Sequence, residues 1–461
     1  MKRIGILTAG GDTPALNATI YGAVARANQL RVEVFGLIKG FNSLFNPRVP
    51  HVHLNPLFQA IPELDASYGG TLIGSSRDFV DADNTASLDL VTERLERLGI
   101  EGLICVGGDG TLNGLQPLAA RLPTVLAPKT IDNDLGLNYE NDPNEWVRVP
   151  DPAEPAGYRY TRSVSRVPFH LENMVSYVTP GYATSVFVSS QDINRVRTTA
   201  ESHRRIAIIE VMGRGSGYLA LGTAYGNPDL ILVPEVPIDL DLIVERTKEL
   251  YDLQKCVVIV CAEGITDKEG KVLGDQGYTD PAGNKLLGGA AETLRSMLID
   301  AIGDNYFSSY RRGETAREAI FTRKAGHTQR GGRPIYFDRF YATQLGGKAT
   351  ELVIEGHTNR VATLQWCNNK GFQVDSFDAT QFRDRYGLIH PRSMHSSFFD
   401  AEHLRPSRTG IEYLLPIFTN ALAESDLEFV RRTAFAPGNL THPYHSPNTD
   451  INKRIRYIKT E

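Results

Sequence analysis

Asp132 and Asp134, in Pro128-Lys129-Thr130-Ile131-Asp132-Asn133-Asp134, stand two residues apart at the end of a short apolar run. In an extended segment both side chains lie on one side, so the pair suits a general base plus a second charge that orients it or meets a metal through water. The plainer alternative is a local Asx turn capped by Asp132. Roughly 20 residues upstream, Cys105-Val106-Gly107-Gly108-Asp109-Gly110-Thr111 sets bare backbone beside a carboxylate, an arrangement that can hold a divalent cation on phosphate oxygens. Three more glycine turns follow candidate strands: Gly10-Gly11-Asp12, Gly74-Ser75-Ser76-Arg77 and Gly213-Arg214-Gly215-Ser216-Gly217. One such turn is weak, because glycine after a strand often only makes the turn. Four of them, with Asp and Arg attached, point to phosphate. Gly347-Lys348-Ala349 lacks the Ser or Thr of a P-loop, and the pairs His51/His53, His390/His395 and His442/His445 lack companion zinc ligands. Cys105, inside an apolar strand, reads as core.

These turns need strands to deliver them. Short apolar runs alternate with segments of helical period, which argues α/β with a mostly parallel sheet. The expected strands are Arg3 to Leu7, Val32 to Ile38, Gly102 to Val106 and Thr124 to Ala127, with a crossover helix over Thr85 to Leu98. A second series follows: Arg205 to Val211, Leu230 to Val233 and Cys256 to Ala262, with an amphipathic helix over Asp239 to Leu253. Two α/β halves result. From about Gly136 to Tyr177 the rhythm breaks, predicting a lid, an insertion or an oligomer contact. Beyond about His395 the chain turns polar and slightly basic (Arg431, Arg432, Lys453, Arg454, Arg456, Lys459), as in a solvated or subunit-packing extension.

The 461 residues are 41% hydrophobic and 22% charged, an ordinary globular composition. A net charge of −5 argues against nucleic acid as a partner, since counterion release needs clustered excess cations. No run is long and apolar enough for a bilayer. Four cysteines without a C-x-x-C pair favour a reducing compartment, with cytoplasm as the expectation.

The chain also carries, in order, Leu7-Thr8-Ala9-Gly10-Gly11-Asp12-Thr13-Pro14-Ala15-Leu16-Asn17-Ala18, the Gly-Gly-Asp-Gly-Thr turn, Pro-Lys-Thr-Ile-Asp-Asn-Asp, Glu210-Val211-Met212-Gly213-Arg214 and Gly326-His327-Thr328-Gln329-Arg330-Gly331-Gly332. Over about residues 2–392 it thereby resembles the phosphofructokinases, which transfer phosphate to sugar phosphates. NAD kinases share the Gly-Gly-Asp-Gly-Thr turn, but that reading leaves Met212 to Arg214 and His327 to Arg330 unexplained.

The resemblance implies two similar three-layer α/β domains with mostly parallel sheets and an active-site cleft between them. Residues 1–140, with a return segment 327–395, would form the donor domain, 141–326 an insertion and the sugar-phosphate domain, and 396–461 a C-terminal extension. The implied reaction is transfer from Mg²⁺-bound ATP to the C1 hydroxyl of fructose 6-phosphate. Asp132 would be the base, helped by Thr130, with Arg214 and Arg77 neutralising the transferring group. Gly11, Arg77, Asp78, Gly107, Gly108, Asp109, Gly110, Thr111 and Lys129 would line the donor, with Asp109 holding Mg²⁺. Thr130, Asp132, Arg205, Met212, Gly213, Arg214, Glu263, Arg323, His327 and Arg330 would line the sugar phosphate. Arg205 matches an arginine that reaches a neighbouring subunit, which implies a homotetramer or homodimer.

Departures bear on the substrates. Phe321 stands where many members have a second phosphate-binding arginine, with Arg323 and Lys324 nearby. Gly110 leaves room for a nucleotide where pyrophosphate users carry Asp, whereas Lys129 is the pyrophosphate users' residue; steric exclusion favours ATP. Pyrophosphate, another sugar-phosphate acceptor and a non-catalytic regulatory subunit are the alternatives. Retention of Asp109, Asp132 and Arg214 opposes the last.

Overall fold

Apolar, β-branched runs become the inner strands of two sheets, each buried on both faces as a parallel sheet requires. The computed structural model describes residues 1–81, 84–152, 156–163, 169–279, 285–419 and 446–458. Arg431, Arg432, Lys459 and the pair His442/His445 lie outside them. The first sheet has eight strands. Its order is Gly371–Asp378, Arg360–Cys367, Thr124–Pro128, Leu103–Gly107, Arg3–Ala9, Glu33–Leu37 and His51–His53, with the short Ser75–Ser76 strand also pairing with Arg3–Ala9. The inner strands are parallel and the two outer pairs antiparallel. The second sheet, Leu230–Leu232, Val257–Ala262, Ile206–Val211 and Ile320–Lys324, is parallel throughout.

The crossover helix Thr85–Arg97 starts at Asn84, whose side chain accepts the Ser87 amide at 3.0 Å. Helix Leu240–Gln254 starts at Asp239, which accepts from the amides of Asp241 and Leu242. Both obey the N-cap rule that satisfies orphan amides. Helices Leu16–Gln29 and Tyr336–Ile354 pack backbone to backbone: a Cβ on Gly22 would run into the Thr343 carbonyl, and one on Gly346 into the Thr19 carbonyl. Gly347, weighed above as a failed P-loop residue, therefore belongs to a helix–helix contact.

The described part of the irregular stretch folds back on its own chain. Its hairpin, Trp146–Pro150 with Tyr158–Arg162, lies on residues 383–392: Trp146 stacks on His390 at 4.3 Å, and the Arg148 guanidinium lies 4.2 Å from the Tyr386 ring centroid. Residues 446–458 keep much of their polar surface in solvent, as expected of the tail, yet are docked on their own chain. Main-chain bonds between His51 and Arg456 lay this segment along the outer strand of the first sheet, and Arg454 pairs with Glu63 at 2.9 Å. Covering an exposed strand edge explains why a polar segment stays docked. Before it, helix Arg408–Phe418 packs beside the second sheet, where Ile231 donates to the Leu404 carbonyl.

Candidate active site

Three of the four glycine turns singled out above follow an inner strand at its carboxyl end, where ligands of open α/β sheets bind, whereas Gly74 precedes, and does not follow, the short Ser75–Ser76 strand. Arg3–Ala9 delivers Gly10 to Asp12, Leu103–Gly107 delivers Gly108 to Thr111, Thr124–Pro128 delivers Lys129 to Asp134, Ile206–Val211 delivers Met212 to Arg214, and Val257–Ala262 delivers Glu263. Asp109 opens helix Asp109–Ala119, so its turn places helix amides beside the carboxylate. Ser75–Ser76 runs beside Thr8 and Ala9, which puts Arg77 and Asp78 just past the first glycine turn.

The turn bearing Asp132 is closed by its neighbours. The Thr130 hydroxyl accepts the Asp132 amide at 3.1 Å and donates to the Asp134 carboxylate at 2.7 Å. Asp132 is not the cap, and its buried Oδ1 has no hydrogen-bond partner among the described residues. Burial first, then the charge of Asp134, pushes its pKa up to about 7, against the pull of Arg330 and Arg214. Asp109 is raised to about 6 by burial and by the same Asp134. Burial also raises Glu263, with Lys324, Arg214 and Arg330 opposing. Three aspartates thus share one region with Arg214 and Arg330, a charge pattern that accepts a cation and an anion together. Among the described residues no group of three His, Cys, Asp or Glu forms a protein-only metal site.

Lys129 is 3% exposed, and its ammonium donates to the Gly11 carbonyl. Burial and the nearby Arg330 bring it down to about 8. Arg330 reaches this turn: its Nη1 donates to the Asp12 carbonyl at 3.4 Å and would stand 2.8 Å from a Cβ on Gly11. Arg330 accordingly lies at the Gly10 to Asp12 turn. A Cβ on Gly107 would clash with the Thr111 hydroxyl, whereas one on Gly110 would find no atom within 4 Å.

Arg205 and Phe321 lie elsewhere. Both stand at the amino ends of their strands, Phe321 opposite Ala207. A six-residue strand spans about 20 Å, so Arg205 is about that far from the Met212 end of the same sheet. Arg323 and His327 are exposed, while Lys324 pairs with the buried Glu210 at 2.9 Å. Sequence reasoning missed Gln329 as a support: fully buried, it accepts the Met212 amide at 2.9 Å and donates to Ser189 at 2.7 Å. Its place inside the Gly-His-Thr-Gln-Arg motif was the available signal. Asp338, which caps helix Tyr182–His203 through the Thr184 amide at 2.7 Å, had none.

The phosphofructokinase family model matches residues 3–139 and 171–353, leaving out the hairpin insertion. An ATP-dependent 6-phosphofructokinase 3 of Streptomyces coelicolor is 33% identical over 369 residues, which cover 79% of this chain and 91% of that protein. An ATP-dependent 6-phosphofructokinase of Corynebacterium efficiens is 33% identical, over 82% of this chain and 92% of its own. The solved pyrophosphate-dependent phosphofructokinase of Marinobacter aquaeolei shares the fold at a TM-score of 0.66 and 17% identity, covering 92% of this chain and 95% of that one. The chain belongs to the phosphofructokinase family, and its fold is the family's pair of α/β sheets.

Proposed function

We propose that the protein is an ATP-dependent 6-phosphofructokinase, transferring the γ-phosphoryl group of ATP to the C1 hydroxyl of fructose 6-phosphate. The observation that carries this reading is Asp132: a raised, buried carboxylate with a partnerless Oδ1, facing Arg214 and Arg330 at the carboxyl ends of two sheets. Asp132 takes the C1 proton as that oxygen bonds to phosphorus and the bond to the leaving ADP oxygen breaks. Arg214 and Arg77 offset the charge on the transferring group, and the amides of Gly11 and Gly108 to Thr111 orient the donor phosphates. Asp109 would hold Mg²⁺, which would supply charge neutralisation for the donor. Met212, Gly213, Glu263, Arg323 and His327 form the sugar-phosphate side.

Two features favour ATP over pyrophosphate as donor. Space is open beyond Gly110, and the Lys129 ammonium is bound to the Gly11 carbonyl inside the turn. Residues 1–140 with the return segment 327–395 make up the donor domain, and 141–326 the insertion and sugar-phosphate domain, with the site drawing residues from both. Arg205 serves the site of a second copy in a homo-oligomer, because its own site lies at the other end of the strand. The test is fructose 1,6-bisphosphate formation from MgATP and fructose 6-phosphate. Asp132→Asn should lower kcat by ~10²- to 10⁴-fold while calorimetry shows both substrates still bound. Turnover unaffected by that substitution would refute the reading.

A further inference from the structure

Arg392 touches none of the groups placed above in contact with substrate, yet it is 3% exposed and its guanidinium is spent on the main chain of the base's own turn. Nη2 and Nε donate to the Asn133 carbonyl at 2.7 and 3.2 Å, and Nη1 donates to the Ser176 carbonyl at 2.8 Å. Its own amide donates to the Asp134 carbonyl at 2.6 Å. A buried guanidinium is costly unless its donors are used, and a planar five-donor fork suits diverging carbonyls as a lysine does not.

The turn it holds needs holding. Asn133, between the two aspartates, has φ +53°, a left-handed conformation that non-glycine residues rarely adopt. The Asn133 side chain accepts the Thr179 amide at 2.9 Å and donates to the Tyr413 hydroxyl at 2.7 Å, so side chain and carbonyl are both fixed. On its other face Arg392 lies 4.9 Å from the centroid of the Tyr218 ring. Tyr218 follows the Met212 to Gly217 loop that carries Arg214, and its hydroxyl donates to Asn138 at 3.0 Å. One rigid side chain therefore bridges the turn bearing Asp132 and the residue closing the loop bearing Arg214.

We propose that Arg392 is a positioning residue for phosphoryl transfer, fixing the Asp132 carboxylate relative to Arg214 through the Asn133 carbonyl and the Tyr218 ring. The inference rests on the reading of Asp132 as the base. The test uses the full chain with Arg392→Lys and Arg392→Met, comparing kcat, the KM for ATP and fructose 6-phosphate, and amide hydrogen exchange. A displacement of about 1 Å at a reacting group costs ~10²-fold, so kcat should fall by about that factor with both KM values within about threefold. Exchange should quicken in peptides covering 129–136 and stay unchanged in the Arg3–Ala9 strand. A folded variant with wild-type kcat, or faster exchange spread evenly over the chain, would overturn the proposal. Absence of fructose 1,6-bisphosphate with the wild-type chain would instead overturn the functional reading, while the exchange pattern would still judge Arg392.

Discussion

The acid–base behaviour of Asp132 follows from its surroundings more than from its residue type. Burial and Asp134 lift it to about 7, and a base works only when ionised, so kcat should fall as pH drops through that region. Removing one of the causes, in Asp134→Asn, should move the acid limb of the kcat profile to lower pH; an unmoved limb would mean that another group titrates there. Gly110 gives a second test at this scale. With no atom near its Cβ position, Gly110→Ala should leave the denaturation midpoint and ATP turnover nearly unchanged. Gly110→Asp adds bulk and like charge beside a nucleotide, and should lower kcat/KM for ATP by more than about tenfold. The aspartates and glycines of this site were legible in the sequence because strand-end turns have a fixed residue vocabulary. Arg392 and Asp338 were not, because an isolated Arg or Asp far along the chain carries no local sign of the carbonyl or amide it will meet.

At the scale of elements, the seven expected strands matched to within about two residues, since buried parallel strands read as continuous apolar runs, whereas His51–His53, Ile320–Lys324, Arg360–Cys367 and Gly371–Asp378 were not foreseen. Helices Tyr182–His203 and Tyr336–Ile354 were harder to see. The first is rich in Ser and Thr, and the second is apolar around much of its circumference, buried between the Leu16–Gln29 helix and the first sheet. Its contact with that helix depends on absent side chains. Gly346→Ala should destabilise by about 1–3 kcal/mol, because its Cβ meets the Thr19 carbonyl and main chain cannot step aside. The adjacent Gly347→Ala, whose nearest neighbour would be the Arg26 Cβ at 3.7 Å, should be neutral or gain up to about 1 kcal/mol of helix propensity. Urea denaturation of the two variants separates a close helix crossing from a general intolerance of substitution in this helix. The hairpin insertion was legible as a break in rhythm, but its landing site on residues 383–392 was not, because cation–π and stacking partners lie more than 200 residues away.

For the whole molecule, the placement of Arg205 at the far end of its strand separates within one chain what the proposed site needs together. Arg205→Ala should raise the KM for fructose 6-phosphate, and mixing it with Asp132→Asn should restore activity beyond the sum of the two. In a mixed oligomer one site regains both groups; activities that merely add would show that Arg205 acts within its own subunit or not at all. The C-terminal segment, docked on the first sheet through His51 and Arg456, shows how far apart in sequence the contacts that complete the molecule lie. The donor remains the point on which the proposed function turns. Purified protein with Mg²⁺ and fructose 6-phosphate, given ATP in one assay and pyrophosphate in another, should form fructose 1,6-bisphosphate with ATP. Formation with pyrophosphate alone would contradict the account, making Lys129 rather than Gly110 the residue that selects the donor.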